Sequence, residues 1–282
     1  MELTAAEIRR AVRAALAEDL GSGDATTLAT VPATARSVAL MRAREPLTAA
    51  GIQFAEIAFR ELSPQIKIQK LARDGQKVAA GKTLLKISGS SRAILSAERV
   101  ALNFVQRLSG VATATATFAN EIKGFRAKIL DTRKTTPGWR RFEKYAVKCG
   151  GGKNHRIGLF DLILIKDNHL VALRNEKPNA VAAAILRARK KFPKLKVEVE
   201  ADTLTQVAQA ADAGADIILL DNMTTTQLRQ AVKIVCGHAK TEASGGVNLK
   251  TVRAIASTGV DFISVGAITH SARAVDIGLD FE

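Results

Sequence analysis

Hydrophobic and polar positions in the first third of the chain follow helical and strand patterns in turn. Apolar residues recur at helical spacing over residues 4–18, and Thr4 with Glu7 fits a capping box, so a helix is predicted there. Further helical patterns occupy residues 49–62 and 92–122. Short apolar runs of strand type lie between these helices, at 38–41, 66–71 and 84–87. The first ~90 residues are therefore predicted to form a small α+β unit.

From residue 127 the pattern changes to short apolar runs separated by segments of helical length. The runs predict strands at 128–130, 162–165, 195–199, 217–220, 241–243 and 262–265. The segments between them predict helices near 139–150, 178–191, 203–213, 225–236 and 248–258. Strands that alternate with helices form right-handed βαβ units and a parallel sheet. The fold class predicted for this part is an α/β barrel that falls short of eight strands, joined to the first part by the helix over 92–122.

Four of these strands end in a carboxylate, at Asp131, Asp167, Glu200 and Asp221. In an α/β barrel the C-terminal strand ends face the active site, so these acids and Lys166 are expected to share a site. The alternative is that each acid only begins a loop or caps the next helix, where aspartate is common. Four acids in register favour the shared site.

The last two predicted strands end in small residues instead. These are Ser244, Gly245 and Gly246 after one strand, and Val265, Gly266 and Ala267 after the other. Loops after the final strands of such barrels commonly bind phosphate through glycine backbone N–H groups. Glycines also serve ordinary turns, but the position of these loops favours phosphate binding.

Basic residues are densest between the first two strands of the barrel, in residues 131–138 and 150–156. The candidate anion ligands are Arg133, Lys134, His155, Arg156 and, after the second strand, Lys166. Arginine binds carboxylate or phosphate in a planar, bidentate way, whereas lysine acts as a compact charge. A solvated basic face would not place its charges at strand ends beside glycines, so a cationic pocket is predicted.

The charge of the whole chain agrees with anionic ligands. The 282 residues include 42 lysines and arginines against 27 acids, which gives a net charge of +15. Such a surplus suits nucleic acid, an acidic membrane or small anionic substrates. Aromatic residues are only 4% of the chain, too few for a base-stacking surface, so small anions are favoured.

Cysteine use and hydropathy indicate the compartment. Cys149 and Cys236 are far apart and form no CxxC motif, which favours a reducing environment. No apolar run approaches the roughly 20 residues that span a bilayer, and the first residues lack the pattern of a signal peptide. We expect a soluble, cytoplasmic protein.

Ten ordered segments together resemble the quinolinate phosphoribosyltransferase family, also called nicotinate-nucleotide pyrophosphorylase (carboxylating), along nearly the whole chain. They are residues 18–24, 98–103, 108–110, 131–138, 150–158, 165–169 (Ile-Lys-Asp-Asn-His), 197–200, 221–223, 242–246 (Glu-Ala-Ser-Gly-Gly) and 265–267. The resemblance implies an N-terminal α+β open-faced sandwich over 1–110 with its linking helix. It also implies a partial parallel α/β barrel over 111–270, with the tail 271–282 packing back on the sandwich, and a homodimer, with a higher oligomer left open.

The same resemblance implies a reaction and a set of site residues. Quinolinate and phosphoribosyl pyrophosphate would give nicotinate mononucleotide, pyrophosphate and CO₂. Substrate binding is implied for Arg99 of the neighbouring subunit and for Thr132, Arg133, Lys134, His155, Arg156, Lys166, Glu200 and Asp221. Catalytic roles are implied for Lys134, Lys166, Glu200 and Asp221, and the two glycine loops would bind the 5′-phosphate.

Mg²⁺ is the implied cofactor, shared by Glu200, Asp221 and pyrophosphate. Two alternatives remain open from the sequence. One is a ModD-type relative of the same fold, although Lys166-Asp167-Asn168-His169 fits the quinolinate enzymes better. The other is a basic nucleic-acid-binding protein, which would lose affinity steeply with salt.

Overall fold

A computed structural model describes residues 2–282. Its helices are α1 (Ala5–Leu20), α2 (Ala25–Thr30), α3 (Ile52–Leu62), α4 (Ser91–Glu121), α5 (Arg140–Cys149), α6 (Asp167–Ala172), α7 (Ala180–Lys191), α8 (Leu204–Asp212), α9 (Thr225–Val235), α10 (Val252–Ala256) and α11 (Ala267–His270). Its strands are β1 (Arg36–Ala43), β2 (Leu47–Thr48), β3 (Lys67–Lys70), β4 (Lys77–Val78), β5 (Thr83–Ser90), β6 (Lys128–Leu130), β7 (Ile163–Ile165), β8 (Val197–Ala201), β9 (Ile217–Asp221), β10 (Lys240–Ser244), β11 (Phe262–Ser264) and β12 (Ile277–Phe281).

The chain divides into two compact units. The first unit comprises the chain up to Ala116 together with Thr136–Gly151 and Ser271–Glu282. The second unit comprises Thr117–Thr135 and Gly152–His270. The division falls within α4, so this helix belongs to both units.

An antiparallel sheet and the helices that pack beside it form the first unit. The sheet has the order β12-β1-β5-β3, and β2 pairs with β4 separately. Thr4 and Glu7 make the predicted capping box of α1. The buried side of α1, through Ile8 and Val12, packs against α3. Burial of one helix face against another element is what stabilises such an amphipathic helix in water.

The segment Thr136–Gly151 departs from the predicted division at residues 110 and 111, since it clusters with the first unit. Two contacts explain this. The Glu143 carboxylate is fully buried and lies 2.5 Å from Arg107 of α4, and the Trp139 ring stacks on Phe104 at 5.0 Å. A buried acid needs such a partner to remain charged.

The second unit contains a parallel sheet of six strands with the order β6-β11-β10-β9-β8-β7. Every predicted strand of this region is present, because each is an apolar run buried between layers. Thr203 and Thr224 cap the following helices α8 and α9, so each helix begins soon after a strand. The predicted fold class, an α+β sandwich followed by a parallel α/β unit, is confirmed.

Several elements differ from the sequence prediction. The pattern predicted a helix over 248–258, whereas α10 covers only Val252–Ala256. The short helices α2, α6 and α11 and the strands β2 and β12 were not predicted, because two to six residues carry too little periodicity. Across residues 2–282, each helix is too short or too polar to cross a bilayer.

Candidate active site

A cavity of about 310 Å³ lies at the C-terminal edge of the parallel sheet. Side chains two residues apart on a strand point to the same face, and this rule accounts for much of its lining. For example, β9 supplies both Leu219 and Asp221, and β10 supplies both Glu242 and Ser244. The full lining is Thr132, Arg133, Lys134, His155, Arg156, Leu164, Lys166, Glu200, Leu219, Asp221, Glu242, Ser244 and Ser264.

The five predicted cationic candidates come together at this cavity. Arg156 is the one of the five that is buried, with 9% of its surface exposed. Burial, followed by repulsion from Arg133, lowers the pKa of Arg156, while the charge of Glu198 opposes this. Lys166 is about half exposed, and its Nζ lies 3.0 Å from Glu200 Oε2. The cavity therefore concentrates positive charge in a partly dehydrated place, which suits an anionic ligand.

Only two of the four strand-end acids line the cavity, Glu200 and Asp221. Asp131 is fully buried and accepts hydrogen bonds from Asn154 Nδ2 at 2.7 Å and His155 N at 2.8 Å. Asp167 begins α6 and accepts the N–H of Asn168 at 2.7 Å. Asp167 therefore fits the alternative weighed from the sequence, an acid at the start of a helix. Asp131 instead holds the segment that carries His155, without lining the cavity itself.

Of the two predicted phosphate loops, the one at 244–246 reaches the cavity lining through Ser244, whereas none of residues 265–267 is part of the lining. Gly245 has a φ of +91°, and a Cβ there would lie 2.1 Å from Asn222 Oδ1, so only glycine fits. A Cβ on Gly266 would lie 3.3 Å from the side chain of Lys134, which lines the cavity. Both loops thus bring backbone close to polar side chains of the second unit.

A buried cluster of His155, Glu198 and Glu242 lies among these residues and was not predicted. His155 Nε2 is 3.0 Å from Glu198 Oε2 and 3.6 Å from Glu242 Oε2. The signal was present: Glu198 stands two residues before Glu200, and Glu242 stands two before Ser244, so each pair shares one face of a strand.

Two predicted residues need separate comment. Arg99 is exposed on α4 in the first unit and is not among the residues that line the cavity of the second unit. Glu200 and Asp221 both present carboxylates to the cavity, and Mg²⁺ is typically held by one or two carboxylates together with substrate phosphates. The donor chemistry at these two positions therefore fits the predicted ion.

A parallel sheet with cations, two carboxylates and glycine loops at one edge defines an α/β enzyme that acts on anionic, phosphorylated substrates. The family models described as the N-terminal and C-terminal domains of quinolinate phosphoribosyl transferase match residues 24–109 and 111–280. The chain belongs to this family. The predicted activity and enzyme class are confirmed by these matches and by the relatives that follow.

Similar proteins come from bacteria and plants. Nicotinate-nucleotide pyrophosphorylase [carboxylating] of Mycobacterium leprae is 43% identical, over 96% of this chain and 96% of its own. The chloroplastic enzyme of that name from Arabidopsis thaliana is 41% identical, over 98% of this chain and 83% of its own. The structure of nicotinate-nucleotide pyrophosphorylase from Francisella tularensis has a TM-score of 0.93 at 42% identity, covering 100% of this chain and 98% of that one.

Proposed function

We propose that the cavity of the second unit is where quinolinate and phosphoribosyl pyrophosphate react to give nicotinate mononucleotide, pyrophosphate and CO₂. One observation carries this assignment: cations and two carboxylates from neighbouring strand ends line the same cavity. The cations suit the two carboxylates of the pyridine, and the acids suit the positive charge that develops on the sugar.

Quinolinate binding falls to Arg133, Arg156 and Lys166, which line the cavity. Arginine forks can bind each carboxylate with two parallel hydrogen bonds. His155 lines the same wall and stays part of the proposed binding set. Thr132 also lines the cavity, and its Oγ1 accepts the N–H of Lys134 at 3.1 Å.

The two acids act in the transfer of the ribosyl group. The pyridine nitrogen forms a bond to C1 of the sugar as the bond from C1 to the pyrophosphate oxygen breaks, and C1 becomes positively charged on the way. Glu200 and Asp221 stabilise this charge electrostatically, because preorganised carboxylates stabilise it without solvent reorganisation. Lys134 meets the negative charge that develops on the departing pyrophosphate. The loops at 244–246 and 265–267 bind the 5′-phosphate through backbone N–H groups.

Loss of CO₂ needs an acceptor for an electron pair. The ribosylated nitrogen is cationic, so the ring can take the pair from the bond between C2 and its carboxylate, and a proton then replaces CO₂ at C2. Glu200 and Asp221 would also hold Mg²⁺, which would neutralise pyrophosphate charge when bound.

Assembly and compartment complete the proposal. A homodimer would let Arg99 of a second copy reach the quinolinate carboxylates, which is consistent with its exposed position on α4. A reducing cytoplasm suits the two free cysteines, and burial raises the pKa of the Cys149 thiol to about 12, which keeps it unreactive.

The test is a product assay on the purified chain. Quinolinate, phosphoribosyl pyrophosphate and Mg²⁺ should yield nicotinate mononucleotide, pyrophosphate and CO₂ in equal amounts. Nicotinate in place of quinolinate is the control, since it lacks the carboxylate that leaves and should release no CO₂. Absence of the mononucleotide from the complete mixture contradicts the proposal.

A further inference from the structure

Glu198 and Glu242 form a carboxylate pair that the proposed reaction does not use; Glu242 lines the cavity, and Glu198 does not. Glu198 is fully buried, and Glu242 is 1% exposed. Among the described residues, no hydrogen bond of good geometry reaches any of their four oxygens. The nearest nitrogen is His155 Nε2, at 3.0 Å from Glu198. Two buried carboxylates at such a place need a proton or a cation beside them.

A metal ion is one candidate, because the nitrogen and the two carboxylate oxygens all lie within 4.8 Å of one another. An ion on His155 Nε2 would need the lone pair of that nitrogen, which would place the ring proton on Nδ1. Instead, Nδ1 accepts the backbone N–H of Arg156 at 2.7 Å and so carries no proton. The ring therefore presents Nε2–H to the acids, which disfavours a metal ion.

A proton on one of the two acids removes the repulsion between Glu198 and Glu242 without a metal ion. Burial, and then the charge of Glu198, raise the pKa of Glu242, while His155 and the Ser264 hydroxyl oppose this. A nearby Asp131 acts in the same direction as Glu198. Glu242 thus tends to keep its proton. Glu198 is the acid whose carboxylate lies closest to the ring, with Oε2 at 3.0 Å from His155 Nε2.

We propose that Glu198 is a positioning residue of the quinolinate site: its carboxylate holds His155 in the Nε2–H form, and Nδ1 of that ring holds the backbone of Arg156. The inference rests on the proposed function, because Arg156 is there a ligand of a substrate carboxylate. Glu198 also supports Arg156 in a second way, through its charge. Its charge compensates the burial of the Arg156 guanidinium beside Arg133.

Kinetics of Glu198→Gln test this role. The amide keeps the shape of the side chain but removes its charge, so it attracts Nε2–H less and no longer offsets the charge of Arg156. The KM for quinolinate should therefore rise about tenfold. The KM for phosphoribosyl pyrophosphate should not change, and kcat should change less than the quinolinate KM. Glu242→Gln should have a smaller effect than Glu198→Gln, since it replaces a neutral acid with a neutral amide.

Glu176→Gln is the matched control, because Glu176 is partly exposed in an ion pair with Arg187 and does not line the cavity. An unchanged quinolinate KM in Glu198→Gln overturns the positioning role. If that variant does not fold, Glu198→Asp replaces it: shortening the side chain should withdraw the carboxylate from Nε2 and raise the same KM.

Nitrogen NMR of ¹⁵N-histidine-labelled wild-type protein tests the proton position without any variant of Glu198. The signals of His155, identified by their loss in His155→Asn, should be those of a ring protonated at Nε2 and bare at Nδ1. A proton on Nδ1, or stoichiometric Zn²⁺ binding that Glu198→Gln abolishes, overturns the inference. Failure of the wild type to form nicotinate mononucleotide would refute the proposed function alone, since the NMR result does not depend on turnover.

Discussion

Lys166 illustrates how single residues prepare the cavity for its ligand. Its ammonium lies 3.0 Å from Glu200, yet the lysine side chain is 48% exposed. Ion pairs that water reaches are weak, on the order of 1 kcal/mol or less. In the proposed site, a quinolinate carboxylate would therefore take the place of Glu200 beside Lys166 and leave Glu200 free to face the sugar. Binding of one substrate would thus prepare the acid that acts on the other.

Glu200→Gln is expected to lower kcat more than it raises the KM for quinolinate. The amide keeps the volume of the side chain but cannot stabilise positive charge on the ribosyl ring, and that charge exists only on the way to the product. Steady-state kinetics with each substrate varied in turn measure both constants. A change confined to KM would contradict the electrostatic role.

Arg133→Ala should reduce kcat/KM for quinolinate by at least roughly thirtyfold, because loss of a buried partner of a charge costs about 2–5 kcal/mol. Arg187→Ala is a suitable control, since Arg187 lies on α7 and does not line the cavity. Equal kcat/KM values for the two variants would remove Arg133 from the binding set.

At the scale of elements, the sequence predicted the parallel sheet well because each strand is a buried apolar run followed by a helix. It also predicted the residues at strand ends, where polarity changes abruptly. It missed Glu198 and Glu242 because each lies inside a strand between buried neighbours, such as Val197 and Val199. A buried acid breaks the apolar pattern, and only the partners supplied by other strands explain it. Distant pairing also hid β12, whose partner β1 lies far away in sequence.

The loop after β10 allows a test at this scale. Gly245 and Gly246 both have positive φ, at +91° and +60°, but only Gly245 is crowded, by Asn222. Alanine at either position should cost about 1–2 kcal/mol through backbone strain, and Gly245→Ala should cost more because its Cβ also collides. Urea unfolding of the two variants measures this difference. Equal losses of unfolding free energy would show that the close approach to Asn222 does not matter.

At the scale of the molecule, the segment Ser271–Glu282 completes the first unit. Glu45 forms an ion pair with Arg273 and accepts the N–H of Asp276 at 2.8 Å. Hydrogen bonds from Arg273, followed by that N–H, lower the pKa of Glu45 from 4.5 to about 2. A lowered pKa stabilises the fold above the unfolded value, and this contribution is lost as the pH falls toward the folded value.

Glu45→Gln should therefore reduce the free energy of unfolding by about 1 kcal/mol or less near pH 7, because solvent screens this pair. The difference from wild type should shrink when urea unfolding is repeated at about pH 3. At that pH the wild-type acid binds a proton more readily in the unfolded state than in the folded state, so protonation favours unfolding. Glu282→Gln is the control, since Glu282 is about half exposed and 3.5 Å from Lys86. A difference that grows on acidification would reverse the assigned sign.

The proposed homodimer makes its own prediction. Arg99→Ala and Lys134→Ala should each be nearly inactive, and mixing them under conditions of subunit exchange should restore roughly a quarter of wild-type activity. Random pairing makes half of the dimers mixed, and each mixed dimer has one intact site if Arg99 serves the partner's cavity. Exchange without recovery would show that Arg99 serves no shared site.

The pairing of β12 with β1 has a consequence for synthesis on the ribosome. β12 lies after the whole second unit in the chain, yet it pairs with β1 in the first unit's sheet. Domains generally fold in the order in which they are translated, but here β1 must wait for a partner that is made after the second unit. The sheet of the first unit is therefore completed only after the second unit has been synthesised. Until β12 is made, the edge of β1 lacks this partner strand and is open to pairing with a neighbouring nascent chain.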